Sequence, residues 1–114
     1  MTIRKVSPKD LFARLQKEEK VFLLDVRAEE KYNEFHIEDL HLEALNIPKN
    51  RIFDAEEKGE TIDFIPKERN FIVTCTTGNS AAKCAAILNN KEFDVAVLEG
   101  GLTAWKEFLK TLEN

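Results

Sequence analysis

The sequence is poor in cysteine, proline and glycine, with 2 Cys, 3 Pro and 4 Gly in 114 residues. Two cysteines are too few for a disulfide scaffold, so both are expected as free thiols of a reducing, cytoplasmic compartment. So little glycine and proline leaves no low-complexity tract or internal linker. No apolar run approaches the ~20 residues of a membrane span, and Met1-Thr2-Ile3-Arg4-Lys5 does not read as a secretory signal. Positive charge is not in excess: 17 Lys and Arg face 21 Asp and Glu, a net charge of −4. Neither nucleic acid nor an anionic membrane is therefore expected as a partner. The two histidines, His36 and His41, are five residues apart and so not on one helical face. Even with both cysteines they match no zinc-ligand spacing, and no metal or cofactor is expected.

What is present is an ordinary globular composition, 43% hydrophobic and 33% charged, enough for one domain over 1–114 with its own core. Ile3–Val6 reads as a short edge strand. Ser7-Pro8-Lys9-Asp10 is a helix start, with Ser as N-cap and Pro at the first helical position, and Leu11, Phe12 and Leu15 follow on one face. Val21-Phe22-Leu23-Leu24 ends in Asp25-Val26-Arg27 and predicts a central strand buried on both faces. Ala28 to Phe35 predicts a helix, and Leu45-Asn46-Ile47-Pro48 a third strand stopped by proline. Between Lys49 and Glu68 the pattern weakens to an ill-defined helix and loop around Gly59. Val95-Ala96-Val97-Leu98 is another buried strand ending at Glu99-Gly100-Gly101, and a last amphipathic helix carries Leu102, Trp105, Phe108, Leu109 and Leu112.

One stretch combines these patterns with reactive chemistry. Asn70 to Leu88 reads NFIVTCTTGNSAAKCAAIL: a strand, Phe71-Ile72-Val73, then Cys75, then the small polar loop Thr76-Thr77-Gly78-Asn79, then helix formers from Ser80. A helix N-terminus offers unpaired N–H groups and a partial positive charge, and successive loop N–H groups make an anion nest. A cysteine held there is favoured as the thiolate, which is the nucleophile. Strands alternating with helices predict an α/β fold with a parallel sheet covered on both faces, whose ligand crevice lies at the carboxyl ends of the strands. Asp25, Cys75 and Gly100 all fall at such ends.

Each residue also has a plainer reading. Cys75 could be an inert strand-end thiol, and Cys84, inside an alanine-rich helix, is read as core rather than as a resolving cysteine. Asp25 and Arg27 are expected to brace the sheet edge, with direct catalysis by either as the alternative. Gly100 and Gly101 are expected to form a tight turn beside the site. Trp105 is expected in the core, with a place in the pocket wall as the alternative.

Four segments together carry a resemblance: Leu24-Asp25-Val26-Arg27; His41-Leu42 with Asn46-Ile47-Pro48; Cys75-Thr76-Thr77-Gly78-Asn79-Ser80; and Leu98-Glu99-Gly100-Gly101 with Ala104-Trp105. In this order and spacing the chain resembles the rhodanese-like sulfurtransferase domain, nearly end to end. The resemblance implies a three-layer α/β fold with a central, five-stranded parallel sheet. It also implies that Cys75 takes a sulfane sulfur from a small donor (a persulfide, a polysulfide or thiosulfate), holds it as a persulfide, and passes it to a thiol or protein acceptor. Thr76, Thr77, Gly78, Asn79 and Ser80 would then bind the substrate, with Asp25, Arg27, Gly100, Gly101 and Trp105 in support.

The chain departs from the family's C-x-x-G-x-R loop at Ser80, where arginine would stand. Arginine would grip a sulfonate through charge-assisted hydrogen bonds of about 1.5–3 kcal/mol each, roughly ten- to a hundredfold in affinity. A loop ending in serine resembles modules attached to metallo-β-lactamase-fold sulfur enzymes, which implies low-molecular-weight persulfide donors. Lys83, one turn into the helix, is the candidate replacement cation. A cysteine phosphatase would need C-x5-R, and Ala81 occupies that arginine's position. A G-x-S-x-G hydrolase would need a histidine after Ser80, and both histidines precede it. The remaining rival is a rhodanese fold kept as a binding or regulatory module.

Overall fold

A computed structural model describes residues 3–113. Met1, Thr2 and Asn114 lie outside the described residues, and with them the start of the opening segment and the two ends of the 1–114 domain. The elements run β1 (Arg4–Val6), α1 (Pro8–Gln16), β2 (Val21–Asp25), α2 (Glu29–Glu34), β3 (Leu42–Asn46), α3 (Lys49–Glu57), β4 (Phe71–Thr74), α4 (Asn79–Asn90), β5 (Val95–Leu98) and α5 (Gly101–Thr111). The strands form one five-stranded sheet in the order β1-β5-β4-β2-β3, and every pairing is parallel.

Alternation along the strands divides the core in two. Leu23, Ile72, Ala96 and Leu98 face α1 and α5, where they meet Leu11, Leu15, Leu102 and Trp105. Their neighbours Leu24, Val73 and Val97 face α3 and α4, where they meet Ile52, Ala81, Cys84 and Leu88. Helices thus cover both faces of a parallel sheet, as the continuous apolar strands require.

Local chemistry accounts for most boundaries. Ser7 Oγ accepts the Asp10 N–H at 3.0 Å, which starts α1 at Pro8. β2 lies between β3 and β4, with Asp25 level with Asn46 on one side and Thr74 on the other. This register brings the carboxyl ends of β2, β3 and β4 to one line, with Cys75 just beyond it.

Two segments differ from the sequence expectation. β3 begins at Leu42, and Ile47 lies just past its end, its N–H donating to Asp25 O at 3.0 Å. The strand is an edge with exposed Glu43 and little β-branching, so its first half carries no strand signature. α3 is a regular helix, although only Ile52 and Ala55 are buried and no side chain caps its start. It is held by packing rather than by propensity.

Candidate active site

Cys75 follows the last residue of β4 and is almost fully buried. Its Sγ accepts two backbone N–H groups, from Gly78 at 3.1 Å and Ala81 at 3.3 Å. The loop can curl back on the sulfur because Gly78 takes a φ of 101°, a left-handed conformation that disfavours any side chain. Both donors sit at the start of α4, so the sulfur meets the positive end of that helix as well as two aligned dipoles. Two N–H dipoles and a helix N-terminus thus converge on the position of the sulfur.

The loop is fixed from behind by α5. Leu102 N–H donates to Cys75 O and Thr103 N–H to Thr76 O, both at 2.9 Å. That approach needs glycine at 101: a Cβ there would lie 2.5 Å from Cys75 O and 2.7 Å from Thr76 O. Gly101 thus admits the Cys75 loop against the start of α5, whereas a Cβ on Gly100, whose φ is 75°, would meet Ala104 of α5 and not the loop.

Asp25 and Arg27 brace the opposite wall. Asp25 is completely buried, and the Arg27 guanidinium grips it through Nε at 3.0 Å and Nη2 at 2.7 Å. Arg27 Nη2 also donates to Phe35 O at 2.6 Å, and the Arg27 N–H donates to Asp25 Oδ1 at 3.0 Å. The pair thereby locks the β2–α2 turn, with its charges satisfied by each other and by backbone. Tyr32 lies close by, and its hydroxyl is pushed above its ordinary pKa first by burial and then by Asp25 and Glu38. Asn46 completes the brace, its amide donating to Asp25 O and Arg27 O, both at 3.0 Å.

These walls enclose a small cavity of about 260 Å³. The β2–α2 turn forms one side, Cys75, Thr76, Thr77 and Ser80 the other, and Lys31 and Lys49 complete the lining. Thr76, Thr77 and Ser80 therefore line the cavity and Gly78 supplies an N–H, whereas Asn79 is exposed and does not line it. Lys83 lies outside the lining, where Lys31 and Lys49 stand instead of the cation expected there. It is Lys49 whose Nζ reaches Ser80, 3.4 Å from Oγ. Trp105 is in the core against Phe12 and Phe108, and it lines a separate apolar groove of about 670 Å³ rather than the Cys75 cavity.

Sequence reasoning missed Lys31, Lys49 and the bracing amide of Asn46. Asn46 lies in a segment that carries the resemblance, but the lysines have no local signal; folding brings them from 44 and 26 positions away from Cys75.

Cys84 is fully buried in the α3–α4 core. Burial, and then the neighbouring Cys75, push its thiol up from an ordinary 9.0 to about 12, with Lys49 opposing the rise. It is a neutral core thiol, and both cysteines are free. His36 stacks on Tyr32 with ring centroids 4.0 Å apart. The described residues contain no cluster of three metal-ligating side chains and no helix long and apolar enough to cross a membrane.

A fold with this sheet order, a cysteine in an anion nest at the carboxyl edge and a paired Asp-x-Arg opposite it can be compared with known proteins. The family model for the rhodanese-like domain matches residues 7–108. YtwF of Bacillus subtilis, provisionally named a sulfurtransferase, is 29% identical over 106 residues, 93% of each chain. MoeZ of Mycobacterium tuberculosis, provisionally named an adenylyltransferase/sulfurtransferase, is 32% identical over 101 residues, 88% of this chain but 24% of MoeZ. The crystal structure of a rhodanese-like domain protein from Staphylococcus aureus superposes with a TM-score of 0.74 at 24% identity, covering 90% of this chain and 91% of that one. The chain belongs to the rhodanese-like domain family.

Proposed function

We propose that the protein is a sulfurtransferase or sulfur carrier in which Cys75 is the sulfur-bearing nucleophile. The observation that carries this reading is the pair of N–H groups, from Gly78 and Ala81, directed at Cys75 Sγ in a small cavity. The Cys75 thiolate attacks the outer sulfur of a donor R–S–SH. A new S–S bond forms at Cys75, the donor's S–S bond breaks, and R–S⁻ leaves, so that sulfur moves as the neutral atom with no external oxidant. With thiosulfate the leaving group would be sulfite. An acceptor thiolate then attacks the outer sulfur of the Cys75 persulfide and releases the Cys75 thiolate. The two N–H donors stabilise the anion before and after each step, which is how a fixed nest lowers such barriers. Gly101 positions the loop, and the Asp25–Arg27 pair positions the facing wall.

The absence of an arginine at Ser80 supports a small organic persulfide or polysulfide over thiosulfate as donor. The acceptor is a thiol, free or on a protein, and two reduced cysteines suit the cytoplasm. Neither nucleic acid nor a membrane has a role in this reading. Steady-state transfer of sulfur from glutathione persulfide to an excess of a thiol acceptor tests it, read as the acceptor persulfide or as the sulfide that a second acceptor thiol then releases from it with formation of the acceptor disulfide. The expected outcome is turnover that disappears in Cys75→Ser and persists in Cys84→Ala. Ser80 also supports a second reading, a binding module with little turnover, which predicts equal background release from wild type and Cys75→Ser.

A further inference from the structure

The Cys75 cavity is lined by two exposed lysines, Lys31 and Lys49. Lys49 is the first residue of α3, whose opening turn contains no acid. A helix N-terminus disfavours positive charge there. Among the described residues no carboxylate lies within ion-pair distance of Lys49 or of Lys31. Its backbone is held at the site, the Lys49 N–H donating to Val26 O at 2.9 Å, and its exposed side chain reaches across the mouth of the cavity to place Nζ 3.4 Å from Ser80 Oγ. Lys31, on α2, lines the same cavity. Two ammonium groups and the positive ends of α3 and α4 therefore act on the space in front of a nucleophilic sulfur. That field has no anionic partner within the protein.

We infer that Lys49, assisted by Lys31, forms a cationic subsite of the Cys75 cavity that takes the anionic head group, carboxylate or sulfonate, of a small sulfane-sulfur donor. The inference rests on the sulfur-transfer reading for the identity of the donor, but the charge selectivity does not. Lys49 approaches from α3, outside the Cys75 loop, and its ammonium stands beside the position where the family's loop carries arginine. It is a point charge on a flexible stem rather than a bidentate fork. It consequently favours a negative head group without selecting the geometry of a sulfonate.

Two alkylating reagents of similar shape and different charge test the subsite without requiring sulfur transfer. Iodoacetate and iodoacetamide both report on Cys75, because Cys84 is buried and protonated. At low ionic strength, Lys49→Gln is expected to lower the iodoacetate-to-iodoacetamide rate ratio by about 3–10-fold, the effect of one nearby unit charge at intermediate dielectric. Lys49→Arg should keep the wild-type ratio, Lys31→Gln should lower it less, and Lys83→Gln should leave it unchanged. About 0.5 M salt should bring wild type and Lys49→Gln together. An unmoved ratio in Lys49→Gln, or equal slowing of both reagents, would overturn the subsite.

The donor arms then separate the two head groups. A KM increase in Lys49→Gln for glutathione persulfide alone identifies a carboxylate donor; an increase for thiosulfate alone identifies a sulfonate. In either case kcat should hold within about twofold, because the interaction binds ground state and transition state alike. Failure of the wild-type protein to take up sulfur from either donor would overturn the sulfur-transfer reading, whatever the alkylation ratio. Normal sulfur uptake with an unmoved ratio would overturn the subsite alone.

Discussion

Cys75 and Cys84 have the same side chain and opposite surroundings. Cys75 Sγ accepts two N–H groups at the edge of a cavity; Cys84 is packed among Ile52, Ala81 and Leu88. Native alkylation should therefore modify Cys75 alone, and Cys84 should react only in denaturant, which peptide mapping of the labelled protein would show. The raised Cys84 pKa also has a thermodynamic consequence. Between 9.0 and about 12 the folded state keeps a proton that the unfolded state has lost, so stability must fall as pH rises through that window. Below it the contribution is fully present. Urea midpoints followed from neutral to alkaline pH should fall less steeply in Cys84→Ala than in wild type. Asp25 is completely buried and is paired with the Arg27 guanidinium at 2.7 Å. Arg27→Ala should cost about 3–5 kcal/mol, because it strands that carboxylate, and thermal unfolding would register the loss.

Helix ends and loop contacts set the next scale. α1, α3 and α4 all close with a residue at positive φ: Glu18 at 63°, Gly59 at 68° and Glu92 at 68°. After α4 the Glu92 N–H donates to Asn89 O at 3.1 Å and the Phe93 N–H to Leu88 O at 3.0 Å, the double bond of a Schellman ending. Glutamate is strained in that conformation and glycine is not, so Glu92→Gly should stabilise the protein by about 0.5–1 kcal/mol, seen as a higher Tm. Gly101→Ala should act in the opposite sense. Its Cβ would strike two carbonyl oxygens of the Cys75 loop, so transfer should fall well below wild type even where circular dichroism shows a folded chain.

These elements also show where the sequence is readable and where it is not. β2, β4 and β5 are apolar runs of the kind only a buried strand needs, and Ser7-Pro8 marks α1, so their placement follows from local pattern. The Cys75 loop is readable for the same reason, because strand, glycine turn and helix start are contiguous. The start of β3 and all of α3 are not, because an edge strand with Glu43 and a helix with two buried residues depend on neighbours distant in sequence. Lys49 is hidden by the same cause: only the parallel pairing of β2 with β3 carries α3 to the Cys75 cavity.

For the whole molecule, the order β1-β5-β4-β2-β3 puts β4 at the middle of the sheet, with α4 and α5 starting beside its carboxyl end. Such sheets bind ligands at that edge, and here the edge holds a cysteine sulfur against two N–H groups in a cavity that Lys31 and Lys49 also line. In the proposed function this sulfur accepts one further sulfur atom. The most direct measurement is the intact mass of the reduced protein after exposure to glutathione persulfide, polysulfide or thiosulfate, with Cys75→Ser and Cys84→Ser beside it. The expected result is one added sulfur, removable by dithiothreitol, absent from Cys75→Ser, present in Cys84→Ser, and formed more readily from the persulfide than from thiosulfate. No added sulfur from any donor, on folded protein with a free Cys75 thiol, would contradict the proposed function.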